Sequence, residues 1–151
     1  MEAAVKDDSV IRFLGNNEIN VLVSSEESGG AYCIMELVVQ PRGGATVLHT
    51  DRWLETFHVI EGEVEWTLER NGDLVTWLAN QGETIVVPPG IKHRFAGAGY
   101  APSRMLTIGP PEYEQFFRAL AAAWQGPYDR EKTPRAVGPV FEKFGMRICS
   151  A

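Results

Sequence analysis

The chain has 151 residues and a formal net charge of −6, with 44% hydrophobic and 23% charged residues. This length and composition favour one globular domain over a disordered chain or a pair of domains. The basic residues are scattered and no apolar run approaches the roughly 20 residues of a membrane span, so we expect neither nucleic acid nor a membrane as partner. The chain starts with acidic residues rather than a signal peptide, which predicts a cytoplasmic protein.

Short runs of alternating or β-branched residues recur from residue 10 to about residue 108, separated by glycine and proline turns. This pattern is typical of an antiparallel sandwich or barrel, and Asn71-Gly72 is its strongest hairpin signal. We predict strands at residues 20–24, 32–40, 45–48, 55–61, 64–69, 74–79, 84–87, 93–96 and 104–109.

The pattern changes after Pro110-Pro111, where apolar residues follow helical spacing from Tyr113 to Trp124. This spacing predicts one amphipathic helix that packs outside the barrel, with its aromatic residues serving as packing. Residues 129–139 are predicted as a proline- and charge-rich loop, and residues 140–148 as a short helix or strand that covers a sheet edge. The expected organisation is a single domain over residues 1–151, with a barrel core at about 20–109 and a helical segment at about 111–148.

Two of the three histidines lie in segments that bring ionisable residues onto one face. Residues two apart on an extended chain point to the same side, so His49 and Asp51 are predicted to face one point. Glu55 alternates in step with Phe57 and Val59, so its carboxylate is predicted to face the interior. His58 is one residue out of step and is predicted to point outward. His93 follows a Pro-Pro-Gly turn and is expected to face inward as well.

Four ionisable side chains inside an apolar barrel would be costly to bury without a partner, and a cation removes that cost. Two imidazoles and one or two carboxylates suit Fe, Mn, Ni, Zn or Co as divalent ions, and the sequence does not choose among them. An alternative stays open, in which Asp51 pairs with Arg52 or Arg94 and Glu55 bonds His49 in a metal-free pocket. The metal ligands predicted from the sequence are His49, Asp51, Glu55 and His93.

The spacing of these residues resembles the two motifs of the cupin superfamily. The first motif usually reads Gly, five residues, His-x-His, three or four residues, Glu, six residues and Gly. The second reads Gly, five residues, Pro-x-Gly, two residues, His, three residues and Asn. The matching residues here are Gly43, His49, Asp51, Glu55, Gly62, Gly82, Pro88, Gly90 and His93.

The two motifs cover residues 43–97, and the flanking segments resemble the small one-barrel cupins, including quercetin-dioxygenase-like members. This resemblance implies an all-β fold, the cupin double-stranded β-helix or jelly-roll barrel, with a C-terminal α-helix. It also implies a homodimer formed through edge strands, since an exposed edge needs cover.

Two positions depart from the family pattern. Asp51 stands where the second metal histidine is expected, and Gly97 stands where the terminal Asn of the second motif is expected. The first change gives a His-x-Asp…His set, which has the composition of the 2-His-1-carboxylate triad of non-haem iron oxygenases. Such a triad leaves coordination positions open for substrate and dioxygen.

The first functional hypothesis is a metal-dependent, dioxygenase-like enzyme for a small apolar or aromatic molecule, with Glu55 as catalytic base. Trp53, Phe57, Trp66 and Phe95 are candidate residues of its substrate pocket, although aromatic residues at alternating positions also fit a plain core. The alternatives are a non-catalytic ligand-binding or sensing barrel with a metal-free pocket, and a metal-independent isomerase-like cupin.

A further alternative comes from Arg104, which lies about as far beyond His93 as an arginine often lies beyond the last histidine of 2-oxoglutarate-dependent oxygenases. Those enzymes share the double-stranded β-helix. The cupin glycines and the Pro-x-Gly turn are not typical of them, so the cupin interpretation is preferred.

Overall fold

The computed structural model describes residues 9–15 and 17–150, and within these ranges the chain forms eleven strands and two helices. The elements are β1 Val10–Phe13, β2 Asn17–Val23, β3 Cys33–Val39, β4 His49–Thr50, β5 Glu55–Glu61, β6 Val64–Arg70, β7 Asp73–Ala79, β8 Thr84–Val87, β9 His93–Gly97, β10 Ser103–Gly109, α1 Pro111–Ala123, α2 Lys132–Phe144 and β11 Arg147–Ile148.

The strands form two antiparallel sheets. One has the order β1-β2-β3-β10-β5-β8, and the other has the order β11-β4-β9-β6-β7. Alternate side chains of most strands point into a shared core, in which the rings of Phe57, Trp66 and Phe95 contact one another with centroids 4.8–5.7 Å apart. This mostly β architecture with a C-terminal helical segment confirms the predicted fold class.

Most of the predicted strands coincide with observed ones. The bounds of β5 and β8 are those predicted, and Asn71 and Gly72 form the turn between β6 and β7, with φ of 53° and 82°. The prediction of a strand at residues 45–48 is wrong. Gly44 has a φ of 110°, which turns the backbone away from an extended conformation. The Phe95 amide donates a hydrogen bond to the Ala45 carbonyl, but regular pairing with β9 begins only at β4, where His49 lies opposite His93. The short edge strand β1 was not predicted.

The prediction of a loop at residues 129–139 is wrong from residue 132 onward, where α2 begins. Pro134 lies in the first turn of α2, where the backbone amides have no helical acceptor and a proline is tolerated. The Asp129 carboxylate accepts hydrogen bonds from the amides of Glu131 and Lys132, at 2.9 and 2.7 Å, and this fixes the start of the helix.

Pro139 lies inside α2 and removes one of its hydrogen bonds. Val137 and Phe144 are nevertheless buried on the face of α2 that packs against α1. This tertiary burial offsets the local cost of the proline. Neither helix of the described ranges has the length and apolar composition of a transmembrane span.

The C-terminal segment returns to the barrel after α2. β11 pairs with β4, which places Ile148 opposite His49, and the Cys149 amide donates to the Leu48 carbonyl at 2.8 Å. Between the two helices, the carbonyls of Trp124 and Gln125 accept hydrogen bonds from the amides of Leu14 and Gly15, which follow β1. The helices are therefore tied to both sheets.

Gly97 departs from the cupin motif for a steric reason. A Cβ at this position would lie 2.3 Å from the carbonyl oxygen of Gln40, which is backbone and cannot swing aside. The Gly97 carbonyl also accepts a hydrogen bond from the Arg42 amide at 2.8 Å, so the segments around residues 40–42 and 97 lie in close contact. A side chain such as Asn does not fit beside this crossing strand.

We expect Gly97→Ala to lower the free energy of unfolding by about 1–3 kcal/mol, because the added methyl group must displace backbone. The control is Gly138→Ala in α2, where no described residue outside the adjacent helix backbone lies within 4 Å of the added Cβ. That change should alter the free energy of unfolding by less than about 1 kcal/mol, because the helix preference of alanine offsets the crowding of its Cβ by Pro139. Urea unfolding of both variants measures the difference, and equal effects would contradict the steric explanation.

Candidate metal centre

Three short segments bring the predicted ligands together. β4 and β9 are antiparallel neighbours in which His49 lies directly opposite His93, so both side chains leave the same face of the sheet. Asp51 follows β4 and Glu55 begins β5. The Gly90 amide of the Pro-Pro-Gly turn donates to the Asp51 carbonyl at 2.8 Å, which joins the two motifs.

The four side chains converge inside the barrel, with only 1–6% of each residue exposed. Asp51 Oδ2 lies 3.5 Å from His49 Nε2 and 3.3 Å from His93 Nε2. One ligand atom from each of these three residues lies within 4.8 Å of the other two. Glu55 lies beside this group, with Oε1 3.5 Å from His93 Nε2.

Backbone carbonyls fix the orientation of both imidazoles. Nδ1 of His49 lies 2.8 Å from the Val47 carbonyl oxygen, and Nδ1 of His93 lies 2.9 Å from that of Ile91. A carbonyl oxygen only accepts, so each Nδ1 donates and carries a proton. Each Nε2 is therefore turned toward Asp51, which is the arrangement that second-shell hydrogen bonds give to metal-binding histidines.

The donor set fits a divalent ion. Two donor atoms bound about 2.1 Å from one ion lie about 3.0–3.5 Å apart, which is close to the spacing of Asp51 Oδ2 from the two Nε2 atoms. Asp51 Oδ1 and Glu55 Oε1 are buried and have no hydrogen-bond partner among the described residues. The nearby arginines are engaged elsewhere, because Arg52 pairs with Glu112 and Arg94 bonds Thr67. A metal ion would supply the missing positive charge.

Burial and close contact shift the pKa values of the site. Burial raises the pKa of Glu55 to about 8, with repulsion from Asp51 adding to the shift. Burial alone would raise the pKa of Asp51, but the close contacts of its carboxylate with the imidazoles of His49 and His93 outweigh burial and hold this pKa below its usual range. Burial alone would lower the pKa of His93, whereas the adjacent carboxyl groups of Asp51 and Glu55 outweigh burial and raise it to about 10. The metal-free site therefore retains protons that an ion would displace.

The four residues line a cavity of about 510 Å³ between the sheets and the helical segment. The two helices contribute much of its apolar wall, which sequence analysis had assigned only to packing outside the barrel. An amphipathic helix gives no local signal of whether its apolar face covers a sheet or an opening, so this role could not be predicted. The helical residues in the wall are Tyr113, Phe116, Phe117, Leu120, Thr133, Pro134, Val137 and Phe141.

The predicted pocket residues divide into two pairs. Phe57 and Phe95 line the cavity, whereas Trp53 and Trp66 lie outside the lining. Trp53 packs against rings of α1 and α2, and Trp66 packs behind Phe57 and Phe95. The alternation of side chains along an extended segment predicted that all four aromatic residues face the core. This alternation does not determine which of them line the cavity.

Two other polar residues lie away from the cavity. The His58 Nδ1 lies 2.8 Å from the Thr84 hydroxyl, on the face of β5 opposite to Glu55, as its parity predicted. Arg104 bonds both carboxylate oxygens of Glu36, each at 2.9 Å, and does not line the cavity. Arg104 is thus not placed to bind 2-oxoglutarate beside the histidines.

Comparison with known proteins identifies the family. Residues 35–109 match the model of the Cupin domain family. This chain belongs to the cupin superfamily. No curated protein sequence matches it.

Solved structures share the cupin fold at low sequence identity. Bacillus subtilis oxalate decarboxylase, described with Mn(II) centres, is 14% identical, with a TM-score of 0.58 over 73% of this chain and 30% of that chain. Hydroxypropylphosphonic acid epoxidase from S. wedmorenis is 14% identical, with a TM-score of 0.56 over 72% and 58%. The polyketide cyclase RemF from Streptomyces resistomycificus is 19% identical, with a TM-score of 0.60 over 95% and 97%. The chain therefore spans under two thirds of the first two proteins and nearly all of the third.

We expect the protein to bind one divalent transition-metal ion, and His49→Ala/His93→Ala to abolish stoichiometric binding because it removes both nitrogen ligands. The matched control is His58→Ala, which removes the third imidazole of the chain outside the cavity. Metal analysis after loading with Co²⁺ and gel filtration measures the content. Retention of the ion by the double variant would contradict this site.

Metal affinity should rise with pH between about 6 and 9. The pKa of His93 is raised to about 10, so its Nε2 carries a proton at neutral pH that the ion must displace. Each displaced proton strengthens binding about tenfold per pH unit while the group remains mainly protonated. Competition with a chelator of known affinity at several pH values tests this, and a flat profile would argue against ligation by His93.

Proposed function

We propose that this cupin is a metal-dependent enzyme that acts on an uncharged, apolar or aromatic small molecule by dioxygenase-like oxidation. The observation that carries the proposal is the convergence of two Nε2 atoms and one carboxylate at the wall of a largely apolar cavity. This set has the composition of the facial triad of non-haem iron oxygenases. A cavity of about 510 Å³ is large enough for a drug-sized molecule.

The charge of the cavity wall supports an uncharged substrate. Among the described residues no Lys or Arg lines the cavity, and its charged groups other than histidine are the carboxylates of Glu18, Asp51 and Glu55. A substrate carboxylate or phosphonate inside this wall would find no lysine or arginine of the described residues, and the positive charge of a protonated His93 is already balanced by Asp51. Aromatic rings from both sheets and from α1 instead offer flat apolar contact surfaces.

Each polar residue has a distinct role in this proposal. His49, Asp51 and His93 would hold the ion, which supplies Lewis acidity and redox chemistry toward dioxygen when bound. Glu55 lies next to the triad and lines the same cavity, so its carboxylate would accept the proton of a substrate hydroxyl. Phe57 and Phe95 would orient the ring of the substrate. The overall reaction adds both atoms of dioxygen to the organic substrate.

A redox-neutral cyclisation is the second candidate. The match to the polyketide cyclase RemF extends over 95% of this chain, and therefore includes helical residues that form the cavity wall. A cyclisation would use the same ion as a Lewis acid and the same Glu55 as base, without consuming dioxygen. Low identity limits the comparison to the fold, so the reaction must be decided by experiment.

Oxygen uptake separates the two reactions. The Fe²⁺-loaded protein is incubated with polyphenols and with aromatic polyketides, while dioxygen and the product mass are followed. Oxidation predicts dioxygen consumption and a product heavier by one dioxygen, lost in His49→Ala/His93→Ala and kept in His58→Ala. A product of equal mass, or lighter by one water, would favour cyclisation. Binding of these compounds without turnover, with every metal tried, would contradict both the oxidation and the cyclisation and would favour a non-catalytic ligand-binding barrel.

The cavity should prefer a neutral ligand over an anion of the same shape. We expect 2-naphthol to bind the metal-free protein at least about tenfold more tightly than 2-naphthoate, because the anion would lose its hydration beside buried carboxylates. Isothermal titration calorimetry measures both affinities. With Zn²⁺ bound, the ion supplies counter-charge and the preference should narrow. Equal affinities in the metal-free protein would argue against the proposed substrate class.

We further propose that the chain works as a homodimer, as its resemblance to small cupins implies. The edge strand β7 exposes Leu74, Val75 and Leu78, each 38–44% exposed, next to unpaired backbone. A second copy would cover this edge. Light scattering should give twice the mass of one chain, and a monomeric mass would contradict the proposal.

A further inference from the structure

We propose that Tyr113 is a positioning residue of this site, whose hydroxyl group, brought into the barrel by α1, hydrogen-bonds the Glu55 carboxylate and fixes its orientation beside the metal ligands. This proposal rests on the metal centre proposed above. It assigns a role at the site to a residue that the sequence pattern had identified only as helix packing.

The strand register places Tyr113 next to Glu55. β10 runs antiparallel to β5 with Thr107 opposite Phe57 and Ile108 opposite Thr56, so the next position of the ladder brings Gly109 beside Glu55. Gly109 has no side chain, and a Cβ added there would lie 2.6 Å from Cδ2 of Tyr113. The Tyr113 ring therefore occupies the space beside Glu55 that a side chain of residue 109 would otherwise fill.

The hydrogen bond of the phenol leaves its own proton available. The Thr107 hydroxyl donates to the Tyr113 oxygen at 3.0 Å, and both groups are buried. Because that bond uses the proton of Thr107, the Tyr113 proton is free for a second acceptor. The Glu55 carboxylate lines the same cavity, and its Oε1 is buried with no hydrogen-bond partner in the part of the chain that the structure describes.

The electrostatics agree with this geometry. Burial raises the pKa of Tyr113 well above its usual value, and the adjacent Glu55 carboxyl group adds to the rise. Tyr113 therefore stays protonated at neutral pH and acts as a donor. Its ring is held between Trp53 and Phe117, with centroids 5.8 and 5.0 Å away, which limits the directions its hydroxyl can take.

A Co²⁺ titration followed by visible absorption tests this role. Tyr113→Phe keeps the ring and its packing but removes the hydroxyl. We expect Co²⁺ affinity to fall up to about tenfold with a shifted visible spectrum, because the Glu55 carboxylate is no longer held with its charge beside the ion. The matched control is Tyr128→Phe, which removes a hydroxyl from the exposed end of the same cavity wall. It should bind Co²⁺ as the unchanged protein does.

A double variant shows whether Tyr113 acts through Glu55. If it does, Tyr113→Phe should have little further effect on Co²⁺ affinity in a Glu55→Gln background. An equal loss in both backgrounds, or an unchanged affinity and spectrum for Tyr113→Phe alone, would overturn the proposal.

A metal-free measurement keeps this test separate from that of the metal centre. In protein labelled with ¹³C at glutamate carboxyl groups, Tyr113→Phe should shift the Glu55 signal, which Glu55→Gln identifies, and Tyr128→Phe should leave it in place. If the unchanged protein binds no Co²⁺ but the Glu55 signal still depends on Tyr113, the metal centre fails and the contact stands. If the Glu55 signal is the same in Tyr113→Phe and in the unchanged protein, the proposed contact is wrong, whether or not the protein binds a metal.

Discussion

The site depends on the cost of burying two imidazoles and two carboxylates within hydrogen-bonding distance of one another. The fold directs these groups inward, because β4 with the residue after it, β9 and β5 turn them toward the same interior point, where all four residues are buried. Without an ion, the raised pKa values of His93 and Glu55 keep protons in the site, and these protons lessen the repulsion between the Asp51 and Glu55 carboxyl groups. An ion would do the same with more charge. Protons and a metal ion therefore compete for the same buried side chains, and the fold sets this competition by holding those side chains together.

The walls of the cavity come from segments far apart in the sequence. The two sheets and the segment after β4 supply the metal ligands, and the sheets add the rings of Phe13, Phe57 and Phe95. The helices α1 and α2 supply much of the remaining apolar cover. β11 then returns to pair with β4 beside His49. A change in the helical segment can thus reach the site by two routes, through this pairing and through the side chains that line the cavity. The barrel alone would leave the ligands in a more open cleft.

Local patterns predicted the residues of the centre but not its enclosure. Two-residue parity placed His49, Asp51 and Glu55 on inward faces, and the Pro-Pro-Gly turn placed His93, because strand alternation and turns are set by neighbouring residues. The start of α2 was missed because its prolines argue against a helix, and only contacts with α1 overcome that preference. The roles of the α1 side chains depend on where the helix docks. Docking is a long-range property that no short pattern of residues records.

Asp51 changes the charge of the centre in a way that agrees with an uncharged substrate. With the histidine usual in cupins, a divalent ion and Glu55 would leave a net positive site that attracts anions. With Asp51, two carboxylates balance the two charges of the ion, so the filled site is close to neutral. No Lys or Arg from the described part of the chain restores a positive field along the cavity. An anion thus gains little from either the ion or the wall, whereas a neutral aromatic molecule gains from ring contacts and brings a hydroxyl proton that Glu55 can take.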